Sequence, residues 1–363
     1  MNRMNRRGGA ALVAVLIILI LVAAGTAIMI VTGKGKIQET SNIPVIAHDD
    51  SSSKADDTQS GTVPDSESQA EPESKPEPEP EPEPEFPEPQ KAEKFKEIDF
   101  KKLGLSCKYG LLMDIDNNEI VAGINYEKKI YPASLTKVMT LIVAMENIDD
   151  KKVKYKFTSK EISKLVEENA SRAGFEIGES VSFEDLMYAA ILPSGADGTV
   201  GLANVVAGSE KKFVELMNKK AEAMGLTGTH FTNTSGLHDK NHYSTLKDMG
   251  IILSYALKDK TIKKVLTADT YTTSKTKQHP EGITLYSIVA SRLMGWFVDL
   301  DGDGNAEGSL LGGKTGFTDE AGFALETIYK YNKKNYICIT TKSTSDFNSV
   351  ADNLAIYENY IKK

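Results

Sequence analysis

The pattern of apolar and polar positions divides the chain into three parts. Residues 10–32 form an almost continuous apolar run, whereas residues 33–95 are polar, acidic and rich in proline. Residues 96–363 alternate between strand-like and helix-like periodicities. We therefore expect the folded domain to lie in this last part.

The apolar run near the N-terminus is long enough to cross a membrane, which takes about 20 residues. Three arginines precede it, so residues 1–9 are predicted to be cytoplasmic, residues 10–32 to be a transmembrane anchor and the rest to be extracytoplasmic. A cleaved signal peptide is the alternative, since small residues at 23–27 resemble a cleavage site. The apolar run continues through residues 28–31, which favours a retained anchor.

Residues 33–95 carry sixteen acidic and six basic side chains, and Pro and Glu alternate through residues 76–85. Such a composition buries too little apolar surface to fold. Alternating Pro favours an extended polyproline II conformation, so we predict a disordered but stiff acidic spacer. A ligand role for the Glu-Pro repeat is the alternative interpretation.

The folded part shows strand patterns at both ends and helical patterns between them. Residues 109–116 and 119–123 read as a hairpin around Asn117 and Asn118, a polar pair that suits positive φ. Strand patterns return at 309–317, 322–331 and 335–342, and helical periodicity marks 183–192, 199–224, 245–257 and 345–363. These patterns predict an α/β (α+β) domain whose antiparallel sheet joins the two ends of the chain, flanked by helices and a largely helical subdomain.

Charge and cysteine content exclude some function classes. Residues 96–363 hold 34 basic and 35 acidic side chains, so the domain has no basic footprint for nucleic acid. Cys107 and Cys338 are the two cysteines of the chain. We predict two buried free thiols, with a disulfide as the alternative that an exported location permits.

Ser134 and Lys137 are the first candidates for chemistry. If the apolar run after Lys137 is helical, a serine and a lysine three residues apart share one face. An uncharged lysine amine can then take the proton of the hydroxyl, which an oxygen nucleophile needs before it attacks a carbonyl. Because Ser-x-x-Lys is common by chance, the interpretation depends on the rest of the chain.

Two further motifs follow in the order that penicillin-recognising serine enzymes use: Ser194-Gly195-Ala196 and Lys314-Thr315-Gly316. The flanking sequences at 131–140, 192–195, 241–245 and 313–322 carry the same likeness. Residues 96–363 resemble the serine-type D-Ala-D-Ala carboxypeptidases, the low-molecular-mass penicillin-binding proteins of peptidase family S11. This resemblance implies the penicillin-binding/β-lactamase-like transpeptidase fold.

The resemblance also implies an activity. The implied activity is removal of the terminal D-Ala from peptidoglycan stem pentapeptides through an acyl-enzyme. The implied enzyme uses no cofactor or metal, and β-lactams inhibit it. In this interpretation Ser134 attacks the carbonyl, and Lys137 accepts the proton because burial and nearby positive charge lower its pKa. Ser194 passes a proton toward the leaving amine.

The third motif is expected to bind the substrate. Lys314 and Thr315 would offer a cation and a hydroxyl to its terminal carboxylate, and Gly316 would leave room for its backbone. The resemblance implies an oxyanion hole made by the backbone N–H groups of Ser134 and Phe317.

The chain departs from the family pattern at Ala196, where Asn is usual. The missing amide leaves its positioning task to Asp197 or a water, and it opens the alternative of a catalytically weakened cell-wall-binding protein. A class A-like β-lactamase is the enzyme alternative, although residues 167–169 do not resemble its deacylating loop.

Residues 299–307 place oxygen-bearing side chains as in a calcium loop, but position 12 is Leu310. We interpret this segment as a polar turn, with calcium binding as the alternative. The histidines lack metal-ligand spacing, and His242 is expected to have a structural role.

Overall fold

A computed structural model describes residues 86–361. The domain is built around a six-stranded sheet in the order β1-β3-β2-β10-β9-β8, and two small hairpins, β4-β5 and β6-β7, lie outside it. The strands are β1 (Gln90–Glu97), β2 (Tyr109–Asp114), β3 (Glu119–Ile124), β4 (Lys154–Lys156), β5 (Ser180–Ser182), β6 (Thr270–Thr272), β7 (Thr284–Tyr286), β8 (Ser309–Thr318), β9 (Gly322–Tyr331) and β10 (Lys334–Ser343).

Most helices lie between the third and the eighth strand in sequence. They are α1 (Phe100–Leu103), α2 (Lys137–Asn147), α3 (Ser159–Glu167), α4 (Phe183–Ile191), α5 (Ala196–Ala207), α6 (Glu210–Ala223), α7 (Leu246–Ala256), α8 (Lys260–Leu266), α9 (Ile288–Leu293) and α10 (Asp346–Tyr360). A 3₁₀ turn, Ala133–Thr136, leads directly into α2. The predicted helical middle and the predicted sheet joining both ends of the chain are confirmed.

One part of the predicted sheet was wrong. β1 pairs with β3 in parallel, so the sheet is mixed rather than antiparallel. Residues 90–95, which we assigned to the spacer, belong to this strand, and Phe86 before it is buried against Tyr255. The side chains of β1 are mostly exposed, so the strand has no alternating apolar face and its sequence gave no strand signal.

The rest of the N-terminal part, including the predicted anchor at 10–32, lies outside the described residues. Between residues 86 and 361, no helix combines the length and the apolar character that crossing a bilayer requires.

The sheet separates two apolar cores. On one face, Leu111 and Ile337 pack with the helical middle of the chain, where α2 buries every side chain from Lys137 to Ala144. On the other face, Leu112 packs with α10 around Tyr357. Because side chains alternate along a strand, the central strands supply both cores and hold the helical subdomain in a fixed position.

The last helix is tied to the start of the sheet by one buried carboxylate. Asp352 of α10 accepts hydrogen bonds from the backbone N–H groups of Ser106 and Cys107, at 2.8 and 2.9 Å, and from the hydroxyls of Ser106 and Ser343. Cys107 and Cys338 are buried free thiols, as predicted, and burial and the nearby Asp352 raise the pKa of Cys107.

We predict that Asp352→Ala lowers the free energy of unfolding by about 3 kcal/mol, because it leaves the buried N–H of Cys107 and the hydroxyl of Ser343 without an acceptor. Urea unfolding of the variant and of Asp149→Ala, an exposed control, measures the difference. A loss below about 0.5 kcal/mol, the usual range for surface changes, would contradict this role.

Candidate active site

The 3₁₀ turn at the start of α2 brings the first two predicted site residues together. In a 3₁₀ turn the side chains at positions i and i+3 lie directly above one another. Nζ of Lys137 is 2.7 Å from Oγ of Ser134. The predicted proximity of hydroxyl and amine is therefore present, and it is set by local backbone geometry.

The amine of Lys137 is completely enclosed. The side chain is 1% exposed, and Nζ also donates to the carbonyl of Ser235 at 2.7 Å. Burial lowers the pKa of Lys137 well below its usual value; the positive charge of Lys314 lowers it further, and Asp197 opposes the shift. A neutral amine has a lone pair that can accept the proton of Ser134.

The sequence patterns did not indicate Ser235 and Gly236, which contact the nucleophile turn and Lys137 from the outside. Gly236 has φ +85°, and a Cβ there would lie only 1.8 Å from the carbonyl oxygen of Ala133. Ala133 itself has φ +48°, a costly conformation for a residue with a side chain. A glycine in a polar loop was the one available signal, and it does not reveal which segment the loop contacts.

Lys314 and Ser194 meet although 120 residues separate them. Nζ of Lys314 donates to Oγ of Ser194 at 2.9 Å and to the carbonyl of Thr315 at 2.8 Å. Ser194 lies between α4 and α5 with φ +60°. Lys314 is 1% exposed, and burial lowers its pKa to about 7, against the opposing charge of Glu326.

Gly316 has a structural reason that the sequence did not indicate. A Cβ at Gly316 would lie 3.1 Å from the carbonyl oxygen of Pro132 and 3.2 Å from the backbone nitrogen of Ser134. Gly316 thus lets β8 pack tightly against the nucleophile turn, and room for a substrate backbone stays a prediction. Phe317, the next residue, is 50% exposed and lies at the mouth of the site.

A cavity of about 220 Å³ opens above Ser134 and Lys137. It is lined by Ser134, Lys137, Asn169, Ala170, Ser171, Ala196, Ser235, Gly236, Leu237, Phe317 and Thr318. A neighbouring cavity of about 520 Å³ shares Ser235 and Leu237 with it. A third cavity, about 550 Å³, is lined by other residues, among them Trp296 and Gly312, and touches none of the predicted site residues.

Asp197 does not replace the missing amide at Ala196. Its two carboxylate oxygens accept hydrogen bonds from the backbone N–H groups of Ala173, Gly174 and Gly198 at 2.9 to 3.0 Å, with a longer one from Phe175. The carboxylate is fully buried and holds the loop that follows α3. The space beside Ala196 is instead bordered by Asn169.

His242 is a structural residue, as expected. Nδ1 accepts a hydrogen bond from the backbone N–H of Thr232 at 3.1 Å, so Nε2 carries the proton and donates to Thr136 at 2.8 Å. Burial lowers the pKa of His242 to about 4. The neutral ring fastens the end of the nucleophile turn to the loop that carries Ser235.

The acidic segment before β8 folds into a compact loop. Carboxylate oxygens of Asp299, Asp301, Asp303 and Glu307 lie within 4.8 Å of one another. The backbone N–H groups of Gly302 and Gly304 donate to Asp299. These hydrogen bonds are typical of a polar turn. Calcium binding stays an alternative prediction.

Comparison with known proteins agrees with this geometry. Residues 98–344 match the family model for D-alanyl-D-alanine carboxypeptidase, peptidase family S11. The chain is 29% identical over 239 residues to a D-alanyl-D-alanine carboxypeptidase of Bacillus subtilis, covering 66% of this chain and 58% of that protein. It is 31% identical over 223 residues to one of Haemophilus influenzae, covering 59% and 51%. The match thus spans between half and three fifths of the length of these relatives.

Solved structures show the same fold. A Streptomyces DD-transpeptidase superposes with a TM-score of 0.62 at 26% identity, covering 70% of this chain and 97% of that one. Penicillin-binding protein 5 from Haemophilus influenzae superposes with a TM-score of 0.59 at 26% identity, covering 70% of each chain. The predicted penicillin-binding transpeptidase fold is confirmed.

We predict that His242 makes the domain acid-sensitive. In the folded state His242 stays unprotonated down to about pH 4, whereas in the unfolded chain it binds a proton near pH 6.5. The free energy of unfolding therefore falls by up to about 3 kcal/mol as the pH drops between these values. Urea unfolding at several pH values should show a smaller decline for His242→Gln than for wild type. An unchanged decline in the variant would show that His242 is not its source.

Proposed function

Since the chain belongs to the D-alanyl-D-alanine carboxypeptidase family, we propose that it removes the terminal D-Ala from peptidoglycan stem pentapeptides. One observation carries this proposal: Oγ of Ser134 lies 2.7 Å from a lysine amine whose pKa burial lowers well below its usual value. Such a pair forms esters with carbonyl substrates, and no metal is needed for the step.

Acylation begins when Lys137 accepts the hydroxyl proton and Ser134 attacks the carbonyl carbon of the penultimate D-Ala. The resulting oxyanion lies between the backbone N–H groups of Ser134 and Phe317, donors that act most strongly where water is excluded. The proton returns through Ser194, whose hydroxyl both accepts and donates, to the amine of the departing D-Ala. The shortened peptide remains attached to Ser134 as an ester.

Deacylation uses the same base. A water molecule attacks the ester carbonyl, Lys137 takes a proton from the water, and Ser134 regains its hydroxyl hydrogen as the tetrapeptide leaves. Only one amine close to the nucleophile is needed for both half-reactions, which fits the single short contact between Lys137 and Ser134.

Substrate recognition falls to the third motif. Within the described residues β8 forms one edge of the large sheet, so a peptide can extend the sheet along it by backbone hydrogen bonds. Lys314 and Thr315 then provide positive charge and a hydroxyl for the terminal carboxylate. Lys314 also holds Ser194 at 2.9 Å, which links carboxylate binding to the residue that delivers the proton.

The class A-like β-lactamase alternative is not favoured. Rapid hydrolysis of a penicilloyl-enzyme needs a carboxylate base near the ester. Within the described residues, no Asp or Glu lines the 220 Å³ cavity. Glu168 borders the neighbouring cavity instead. A long-lived β-lactam adduct on Ser134 follows from this arrangement.

The proposed cellular arrangement comes from the N-terminal sequence. Residues 10–32 anchor the protein in the membrane with residues 1–9 in the cytoplasm, and the acidic spacer holds the domain outside the cell. There it meets the stem peptides of peptidoglycan, with β-lactams as inhibitors.

We predict that fluorescent penicillin labels the wild-type protein covalently and that Ser134→Ala abolishes the labelling, since the ester oxygen is gone. Gel fluorescence after denaturation measures the adduct, and Ser163→Ala, an exposed serine that does not line the cavity, serves as control. An unlabelled wild type, or a labelled Ser134→Ala, would defeat the proposal.

We predict that wild type releases D-Ala from a D-Ala-D-Ala tripeptide and that Ala196→Asn raises kcat by about tenfold, since an added hydrogen bond to a charged group contributes roughly 1.5 kcal/mol. Ala196→Leu, similar in size but without an amide, should not accelerate the reaction. Zero release by wild type with rescue by Ala196→Asn would instead establish the weakened cell-wall-binding alternative.

A further inference from the structure

The wall of the catalytic cavity contains an amide side chain to which the sequence motifs give no role. Asn169, in the loop after α3, lines the 220 Å³ cavity together with Ser134, Lys137 and Ala196. Among the described residues it is the only amide side chain on this wall. The cavity that lacks an amide at Ala196 therefore has one on a neighbouring loop.

Other polar side chains of the cavity wall already have partners within the protein. Oγ of Ser171 donates to the carbonyl of Ser194 at 2.5 Å, and Oγ1 of Thr318 accepts from the backbone N–H of Ala321 at 3.0 Å. In contrast, the side-chain amide of Asn169 makes no hydrogen bond to any described residue. An amide offers both a donor and an acceptor, so Asn169 can pair with the C=O and N–H groups of a peptide.

The backbone of Asn169 is fixed by the end of α3. Asn169 has φ +50°, and its N–H donates to the carbonyl of Val166 at 3.1 Å, while the N–H of Ala170 donates to the carbonyl of Leu165 at 3.0 Å. These hydrogen bonds form a Schellman motif, in which glycine is the usual residue and asparagine the next at the left-handed position. The motif explains the backbone conformation, but a glycine would serve it equally well and would leave the cavity without an amide.

The loop that carries Asn169 is attached to the second motif. The backbone N–H of Ala196 donates to the carbonyl of Ser171 at 2.7 Å. Gly195 allows this close approach, since a Cβ there would lie 2.9 Å from the backbone nitrogen of Ala173. Asn169 is only two residues from Ser171, so its place in the cavity wall is set before a substrate binds.

We propose that Asn169 is a substrate-binding residue that takes over part of the task of the amide missing at position 196. Its partner is a peptide group on the acyl side of the bond that is cleaved. The terminal carboxylate is assigned to Lys314 and Thr315, whereas the wall that holds Asn169 also includes Phe317 and Thr318, farther along β8. A peptide that extends β8 therefore passes Asn169 with the part that stays attached to Ser134.

This inference rests on the proposed function, because it needs a ligand that acylates Ser134. The test removes the amide with Asn169→Gly, which suits the left-handed backbone position. The substitution is made in the wild-type chain and in the Ala196→Asn chain, which gives a double-mutant cycle. We measure kcat/KM for D-Ala release and the rate constant of acylation by benzylpenicillin, which carries an amide beside its reactive ring.

In the wild-type chain we expect Asn169→Gly to lower both quantities about tenfold, as the loss of one hydrogen bond to the substrate does. In the Ala196→Asn chain the same change should cost less than about twofold, because the amide at 196 then performs the task. Acylation by aminopenicillanic acid, which has the same ring system without the amide, should not respond to Asn169→Gly. A merely structural residue would slow both chains and both β-lactams alike.

Asn332→Gly is the matched control. Asn332 is an exposed asparagine with φ +48° in the turn between β9 and β10, and it does not line the cavity. Its removal should leave both quantities unchanged. Should Asn169→Gly fail to fold, Asn169→Asp takes its place in the cycle, since Asp is similar in size, tolerates the left-handed conformation and has no amide donor.

The outcomes separate the two proposals. If wild type neither releases D-Ala nor is acylated by benzylpenicillin, the proposed function fails, and this inference falls with it. If wild type is active and Asn169→Gly has no effect, or slows both chains or both β-lactams equally, the proposed function stands and the role of Asn169 is refuted. A loss confined to the chain with Ala196 and to ligands with the amide supports it.

Discussion

Removal of water from the amine of Lys137 is the constraint on which the site depends. An exposed lysine carries a proton at neutral pH and cannot accept another, so the hydroxyl of Ser134 would stay inert. The domain meets this constraint by burying the first turns of α2 completely and by giving Nζ one backbone acceptor, the carbonyl of Ser235. Ala133, with its costly positive φ, and Gly236, in close contact with it, form part of the same turn.

The large sheet brings the distant parts of the site together. The nucleophile comes from the first third of the folded part and β8 from the last third, and the central strands β2, β10 and β9 join them in one sheet. Gly316 lets β8 contact the nucleophile turn directly, and Asp352 fixes the final helix against the start of β2. Tight backbone contact across the sheet therefore sets the distance between the two lysines.

Features encoded within a few residues could be predicted from the sequence. The Ser134–Lys137 spacing, the central hairpin and the C-terminal strands depend on local periodicity, and they appear where the patterns indicated. The parallel strand β1 could not, because its exposed side chains have no buried face and it is held by backbone pairing. The hydrogen bond from Lys137 to the Ser235 carbonyl and the pairing of Lys314 with Glu326 across two strands were also missed. A loop contact and a strand register both depend on the whole fold.

Two buried carboxyl groups give the two lysines different electrostatic environments. Burial raises the pKa of Asp197, but four backbone N–H groups favour its charged form, and that charge partly opposes the loss of a proton from Lys137. Within the part of the chain that the structure describes, Glu326 has no such donors, and Lys314 is the charged group that favours its carboxylate. Asp197 therefore has backbone donors that favour its carboxylate, whereas within the described residues Glu326 has none. Because the positive charge of Lys314 disfavours the protonated form of Lys137, the charge state of one lysine alters the basicity of the other.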